Sequence, residues 1–263
     1  MKDDFQMIVH RVERPITIFP IADVHYGALM HEKRKWYDFC RMIEAQDDAR
    51  VILNGDLINN GTRSSVGGSV FDDFERPRDQ KIKMVEMLAP LKDKILCLTS
   101  GNHERRSMKD ADDDATYDIA AKLNIEDLYR PNIAFVKIGV GVSNKENGRK
   151  SSKSTFVFAV THGSGGGIYT GATVNRNERF GNVIDNLDCL VVGHTHKATI
   201  SRPSKIVVDI RTNKVEMRDY LVVSCTSWMR YGEYAVQKML LPSSTARPQK
   251  LRLTEAGEIE VIW

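Results

Sequence analysis

Cysteine is scarce in this chain: four among 263 residues, at Cys40, Cys97, Cys189 and Cys225, widely spaced and mostly in apolar surroundings. The four read as core thiols in a reducing compartment, with disulfide or zinc pairing the lesser alternative. A dominant charge sign is lacking too: the formal net charge is +3, so no strong global field draws the chain to nucleic acid. No apolar stretch approaches membrane-spanning length, and Met1-Lys2-Asp3-Asp4-Phe5 has no apolar core of the signal-peptide kind. The expectation is therefore a protein without a membrane partner and with a cytoplasmic location. There is no internal repeat or low-complexity segment, and 41% hydrophobic residues suit a globular chain. A single domain spanning residues 1–263 is expected.

Histidine is where the sequence becomes specific. Five of the seven fall inside five short blocks: Asp23-Val24-His25, Gly55-Asp56, Gly101-Asn102-His103-Glu104, Thr161-His162-Gly163 and Gly193-His194-Thr195-His196. Each follows a short apolar run rich in β-branched residues, Ile16–Ile21, Val51–Leu53, Ile95–Leu98, Phe156–Val160 and Leu190–Val192, and such runs read as buried strands. If the strands run the same way, their loops gather Asp, His and Asn at one carboxyl edge, where α/β sheets bind ligands. Imidazole and carboxylate without thiolate suit Mn, Fe or Zn, and Ni also falls within this ligand class. One carboxylate between two cations holds them about 3.5–4 Å apart, the spacing that activates a hydroxide and clamps a phosphoryl group. Asp56 is the natural bridge. A Gly-Asp or Gly-His after a strand is ordinary turn chemistry when it stands alone; here the joint order carries the inference.

These blocks resemble those of the calcineurin-like metallophosphoesterases, whose pattern is Asp-x-His, Gly-Asp, Gly-Asn-His-Asp/Glu, a lone His and Gly-His-x-His. Every block is present and in order across residues 21–196. The resemblance implies a four-layer α-β-β-α sandwich with two mixed sheets and a dinuclear site at the strand carboxyl ends. It also implies two divalent ions, with manganese the first choice. Asp23, His25, Asp56 and His196 would hold the first metal, and Asp56, Asn102, His162 and His194 the second. His103 would contact the phosphate and protonate the leaving oxygen, with Glu104 orienting its imidazole. Such an acid contributes about 10²–10⁴ in rate. The implied reaction is in-line attack by a metal-bridging hydroxide on a phosphoester, with Asn102 helping to hold the phosphoryl oxygens.

Substrate class rests on departures within the family. Protein serine/threonine phosphatases open with Asp-x-His-Gly and carry Asp-Arg-Gly after Gly-Asp. In this chain Tyr26 separates His25 from Gly27, and Asn59-Asn60-Gly61 stands in the second place. The Asp-x-His-x-Gly opening looks more like the double-strand-break repair nucleases and diesterases, although this chain has no room for the nucleases' capping and coiled-coil-linked segments. The expected function is a phosphodiesterase acting on a nucleotide or nucleic-acid phosphate. The alternatives are a small-molecule or protein phosphomonoesterase and, third, a non-catalytic scaffold. Arg106 falls where the phosphatase branch has a phosphate-clamping arginine, so a bidentate contact is one reading and a surface arginine the other. Trp228 and Tyr231, in the aromatic and basic run Trp228–Tyr234, are read either as a base-stacking surface or as core.

The remaining elements are legible in outline. Lys33–Gln46 spaces Trp36, Phe39, Cys40 and Ile43 as an amphipathic helix does. Arg78–Leu88 repeats this with Ile82, Val85 and Leu88, and Pro90 ends it. A third helix is expected to start in the acidic stretch Asp110–Asp114 and run to Leu123, since Asp favours helix N-termini; that stretch lacks the glycine and terminal glutamate of a calcium loop. Gly61–Ser69 has the composition of a mobile loop beside the site. Ser143–Ser154, with Lys145, Arg149, Lys150 and Lys153, reads as a hairpin tip or a phosphate contact. After Asp219, the strand-like runs are expected to close the second sheet.

Overall fold

The computed structural model describes residues 4–63, 65, 73–144, 150–165, 169–232 and 234–262. In chain order the elements are β1 (Ile8–Val12), β2 (Ile16–Ile21), α1 (Lys33–Ala45), β3 (Ala49–Asn54), α2 (Pro77–Leu88), β4 (Ile95–Thr99), α3 (Glu104–Ala111), α4 (Ala115–Leu123), β5 (Tyr129–Arg130) and β6 (Ile133–Val140). There follow β7 (Ser143–Asn144), β8 (Lys150–Ser151), β9 (Ser154–Thr161), α5 (Thr170–Gly181), β10 (Cys189–Val192), β11 (Thr199–Ser201) and β12 (Ser204–Asp209). The chain closes with β13 (Lys214–Asp219), β14 (Leu221–Ser224), α6 (Tyr234–Gln237), β15 (Lys250–Leu253) and β16 (Ile259–Ile262).

Two six-stranded mixed sheets result, in the orders β16-β15-β2-β3-β4-β5 and β1-β6-β9-β10-β14-β11. In the first, β2, β3 and β4 are mutually parallel; in the second, β9, β10 and β14 are. The strands that precede the five blocks therefore point their carboxyl ends the same way within each sheet. Their burial on both faces explains the unbroken apolar runs.

Three apolar layers separate the elements. Ile18, Ile52 and Leu96 of the first sheet meet Val136, Phe156 and Val191 of the second. On the far face of the first sheet, Phe19 and Val51 pack with Trp36, Met84 and Ile119 from α1, α2 and α4. On the far face of the second, Leu190 and Val222 lie under α5, joined by Leu187 and Tyr220. The order is helix, sheet, sheet, helix, as expected.

Several local expectations need correction. In α2 the buried residues are Gln80, Met84, Met87 and Leu88, while Ile82 is exposed, so the helix is turned relative to the predicted Ile82–Val85–Leu88 stripe. The polar Gln80 takes an inward place because its amide has partners there. Pro90 ends the α-helix but begins a 3-10 stretch over Ala89–Lys94. The acidic run is divided between two helices: α3 ends at Asp112 in a left-handed turn, and Asp114 caps α4 by accepting from the Tyr117 backbone N–H at 3.0 Å. The C-terminal hairpin β15–β16 joins the first sheet beside β2, whereas the expectation put it in the second; of the runs after Asp219 only β14 enters that one, between β10 and β11. All four cysteines are buried free thiols. Parts of the Gly61–Ser69 and Ser143–Ser154 readings, including Lys145 and Arg149, lie outside the described residues; Lys153 pairs with Glu255. Among the described residues no helix is long and apolar enough to cross a membrane.

Candidate metal centre

The five blocks meet where the carboxyl ends of the two sheets converge. Backbone strain marks the place: Asp23, His25, Asp56, His194 and His196 all have positive φ, between 49° and 71°. Left-handed backbone is uncommon for residues with a Cβ and costs about 1–3 kcal/mol at each such position, so it persists where the surroundings over-determine it. Here it turns each side chain sharply off its strand end. Two glycines make the close approach feasible: a Cβ at Gly101 would lie 2.0 Å from Asp56 Oδ1, and one at Gly55 would lie 2.5 Å from the Gly101 nitrogen.

Ligand-bearing side chains then fall into overlapping groups. Asp23, His25 and His196 form one, and Asp56, His162 and His194 another; within each, a donor atom from every residue lies within 4.8 Å of the others. His25, Asp56 and His103 form a third group of the same tightness. His25 Nε2 faces His196 Nε2 at 3.0 Å, and Asp56 Oδ2 lies 3.2 Å from His162 Nε2 and 3.8 Å from His25 Nε2. Asn102 enters through its side-chain oxygen, which accepts from His194 Nδ1 at 2.7 Å. The structure thus brings together all seven expected ligand residues.

The supporting contacts orient these groups. His162 Nδ1 donates to the Asn54 carbonyl at 2.7 Å, which leaves Nε2 facing Asp56. Among the described residues, that Nε2 and the buried His25 Nδ1 have no hydrogen-bond partner. Both Asp23 oxygens accept from the His194 backbone N–H, at 2.9 and 3.1 Å. Asn54 also ties the sheets together, donating to Thr161 O at 2.9 Å and accepting from Thr99 Oγ1 at 2.7 Å.

Titration behaviour follows from this crowding. Burial opposes a charge on Asp56, but His162, His103 and His25 hold it well below the usual carboxylate range. Burial also works against imidazolium at His162 and His196, yet Asp56 and Asp23 beside them lift His162 to about 10 and raise His196 as well. Burial pushes His25, His103 and His194 down. Two buried carboxylates thus favour positive charge on two of five imidazoles. Such a site exchanges protons for cations, because the same lone pairs and the same negative charge serve both. Burial, together with the Asp23 charge, pushes the Cys225 thiol well above its ordinary value, so no thiolate competes. Oxygen and imidazole donors, unpartnered buried nitrogens and net negative demand fit a divalent metal.

The His103 neighbourhood differs from expectation. Glu104 does not touch the imidazole. Its carboxylate accepts four backbone N–H groups instead, from Asp56, Leu57, Ile58 and Gly101, at 2.6–3.1 Å. It is the clamp that holds the Gly-Asp loop against the Gly-Asn-His loop. His103 Nδ1 donates to the Asn59 carbonyl at 2.9 Å, and Nε2 accepts from Arg106 Nη2 at 3.0 Å. Arg106 Nη1 reaches the same Asn59 carbonyl at 3.0 Å. Behind it, Asn60 donates to the His103 and Glu104 carbonyls and to Ser107 Oγ, and its backbone N–H is taken by Gln80. Asn59, Asn60 and Gln80 are therefore the residues that sequence reasoning missed. The signal available was Asn59-Asn60 standing in place of Asp-Arg.

Glu104→Gln tests the clamp. The amide supplies one acceptor where the carboxylate supplies two, leaving about two buried N–H groups unpaired at about 1–3 kcal/mol each. A loss near 3 kcal/mol lowers the melting temperature by about 6–12 °C in a chain of this size. An unchanged melting temperature would show that the loops hold without the carboxylate.

Trp228 is a correction to the stacking alternative. It is 1% exposed and packs at 5.0 Å on both Trp36 and Phe39, so no ring face is open to a base. Its main chain matters to the site: the Trp228 N–H donates to the Asp23 carbonyl at 2.9 Å. Tyr231 is half-exposed, with its hydroxyl donating to the Leu240 carbonyl.

A family model described as calcineurin-like phosphoesterase matches residues 16–198, the span that contains every block above. The chain belongs to the calcineurin-like phosphoesterase family. No curated protein matches the chain. Among solved structures it is similar to a predicted phosphoesterase from Streptococcus pneumoniae TIGR4, at 14% identity and TM-score 0.35, covering 95% of each chain. It is also similar to the calcineurin-like phosphoesterase YfkN from Bacillus subtilis, at 11% identity and TM-score 0.35, covering 95% of this chain and 93% of that one. A third is a cold-active protein-tyrosine phosphatase of a psychrophilic Shewanella, at 14% identity and TM-score 0.32, covering 98% and 83%. Likenesses this low carry no argument about substrate. Membership of the calcineurin-like phosphoesterases supports metal-dependent hydrolysis of a phosphoester, and the Asp/His cluster supports divalent metal binding.

Proposed function

We propose that this calcineurin-like phosphoesterase is a two-metal phosphodiesterase acting on a nucleotide or nucleic-acid diester. The observation that carries the reading is the convergence of two carboxylates and five imidazoles in three overlapping groups, joined through His25 and Asp56. Asp23, His25, Asp56 and His196 would hold one divalent ion, and Asp56, Asn102, His162 and His194 the other, with manganese the first choice for this donor set. When bound, such a pair supplies Lewis acidity toward phosphoryl oxygens and activates water.

The chain's own residues do the rest. His103 stands beside this cluster, with Nε2 3.9 Å from Asp56 Oδ2, where it can hand a proton to a leaving alkoxide. Nε2 cannot donate while it accepts from Arg106, so the guanidinium has to leave that nitrogen, pivoting on its bond to Asn59, and Nε2 has to take up a proton from water before it passes one on. Asn59 holds both groups through one carbonyl and sets their relative position.

Two features support a diester. The Asp23–Gly27 and Asn59–Asn60 departures point away from protein phosphatases. Tyr231 supports a base-bearing substrate: it follows Trp228 and Arg230, whose backbones bond to Asp23 and Met30, and its ring is half-exposed. A monoesterase is the second reading, favoured by the 3.0 Å approach of Arg106 to His103.

Initial rates with added Mn²⁺ on bis(p-nitrophenyl) phosphate, p-nitrophenyl phosphate and nucleotide diesters separate the two. Diesters are expected to be the better substrates, and Tyr231→Ala to erode the preference for nucleotide diesters by about 1–3 kcal/mol per stacked base. Much faster hydrolysis of p-nitrophenyl phosphate, with Arg106→Ala removing that advantage, would establish the monoesterase.

A further inference from the structure

The hairpin β12–β13 belongs to neither large sheet. Its register pairs Ile206 with Met217 and Val208 with Val215, and alternation puts these four on one face. The opposite face is tied to the body: Lys205 Nζ donates to the Gly181 and Ile184 carbonyls and lies 5.0 Å from the Tyr220 ring centre, and Arg218, its cross-strand partner, donates to Asn186. The apolar face therefore looks away from the protein. Ile206, Val208, Val215 and Met217, with Ile210 at the tip, are between 64% and 89% exposed. Side chains of this kind present on the order of 600 Å² of contiguous apolar surface, at the upper end for a monomer.

We propose that this face is the contact between two copies of the chain, stacked ribbon on ribbon about a two-fold axis. Three observations favour a second copy as the occupant. The four face residues carry no charge, so the patch is complementary to itself. A two-fold that sets the Ile206–Met217 pair of one ribbon on the Val208–Val215 pair of the other places large side chains over small, as stacked sheets require. The same operation lays the tip, where Arg211 stands, over the base of the partner ribbon, where Asp219 shares the face with the apolar set. About 1,200 Å² buried in total is at the low end for a specific interface, so a weak, concentration-dependent dimer is expected.

Sedimentation of the full chain from low to high micromolar concentration tests this. The expected result is a concentration-dependent shift from monomer to dimer mass, lost in the double variant Val208→Lys with Met217→Lys. Because two lysines could disturb the hairpin, Val208→Thr with Val215→Thr is the second variant; it keeps β-branched shape while making the face polar, and weakens the dimer at least about tenfold. Asp219→Lys weakens it as well, and adding Arg211→Glu restores it. A wild-type chain that stays monomeric throughout overturns the proposal, leaving a different partner for the ribbon. A dimer that the threonine variant leaves unchanged also overturns it.

Discussion

Asp56→Asn is expected to empty both metal positions at once. Asp56 Oδ1 accepts the His103 backbone N–H, while Oδ2 is the oxygen near both the His25 and the His162 imidazoles. One charge thus serves both ligand groups, and the amide removes it with almost no change of shape. Elemental analysis of the Mn²⁺-loaded protein should fall from about two ions per chain to well under one, since even changes outside the ligand shell cost about 10–100-fold in affinity or activity. Turnover should fall by more than about 10²-fold for the same reason. His25→Ala, in contrast, should empty mainly the position shared with Asp23 and His196. Two ions retained in Asp56→Asn would end the bridging assignment.

His103→Ala is expected to separate acid from ligand. Metal content should stay near wild type. Turnover of substrates with poor leaving groups should drop by about 10²–10⁴, because an alkoxide needs the proton His103 supplies. Hydrolysis of p-nitrophenyl esters should suffer much less, since p-nitrophenolate departs without help. Equal losses for both leaving groups would make His103 a phosphate-positioning residue, the role its 3.0 Å contact with Arg106 also suits.

Sequence alone determined the parts that depend on neighbours in the chain. Apolar runs of strand length followed by Asp, His or Asn specify both a strand and what stands at its end, so the five blocks, with the seven residues proposed as ligands, could be read before any fold was known. Helix α1 was legible for the same reason, since a stripe of Trp36, Phe39, Cys40 and Ile43 needs only local periodicity. What only the tertiary structure decided depends on which distant groups come into contact. Glu104 sits next to His103 in sequence, yet its carboxylate turns to four backbone N–H groups, three of them brought from the Gly55–Ile58 loop by strand pairing. Asn59, over forty residues earlier in the chain, holds the imidazole in its place. Trp228 could be core or binding surface from composition, and contact with Trp36 and Phe39 made it core. The hairpin β15–β16 carries a strand pattern compatible with either sheet, and pairing with β2 chose the first. Periodicity states that a face will be buried; only the assembled layers determine against what, because a buried polar group or an apolar strand accepts any partner of matching shape and hydrogen-bonding capacity that the fold brings within reach.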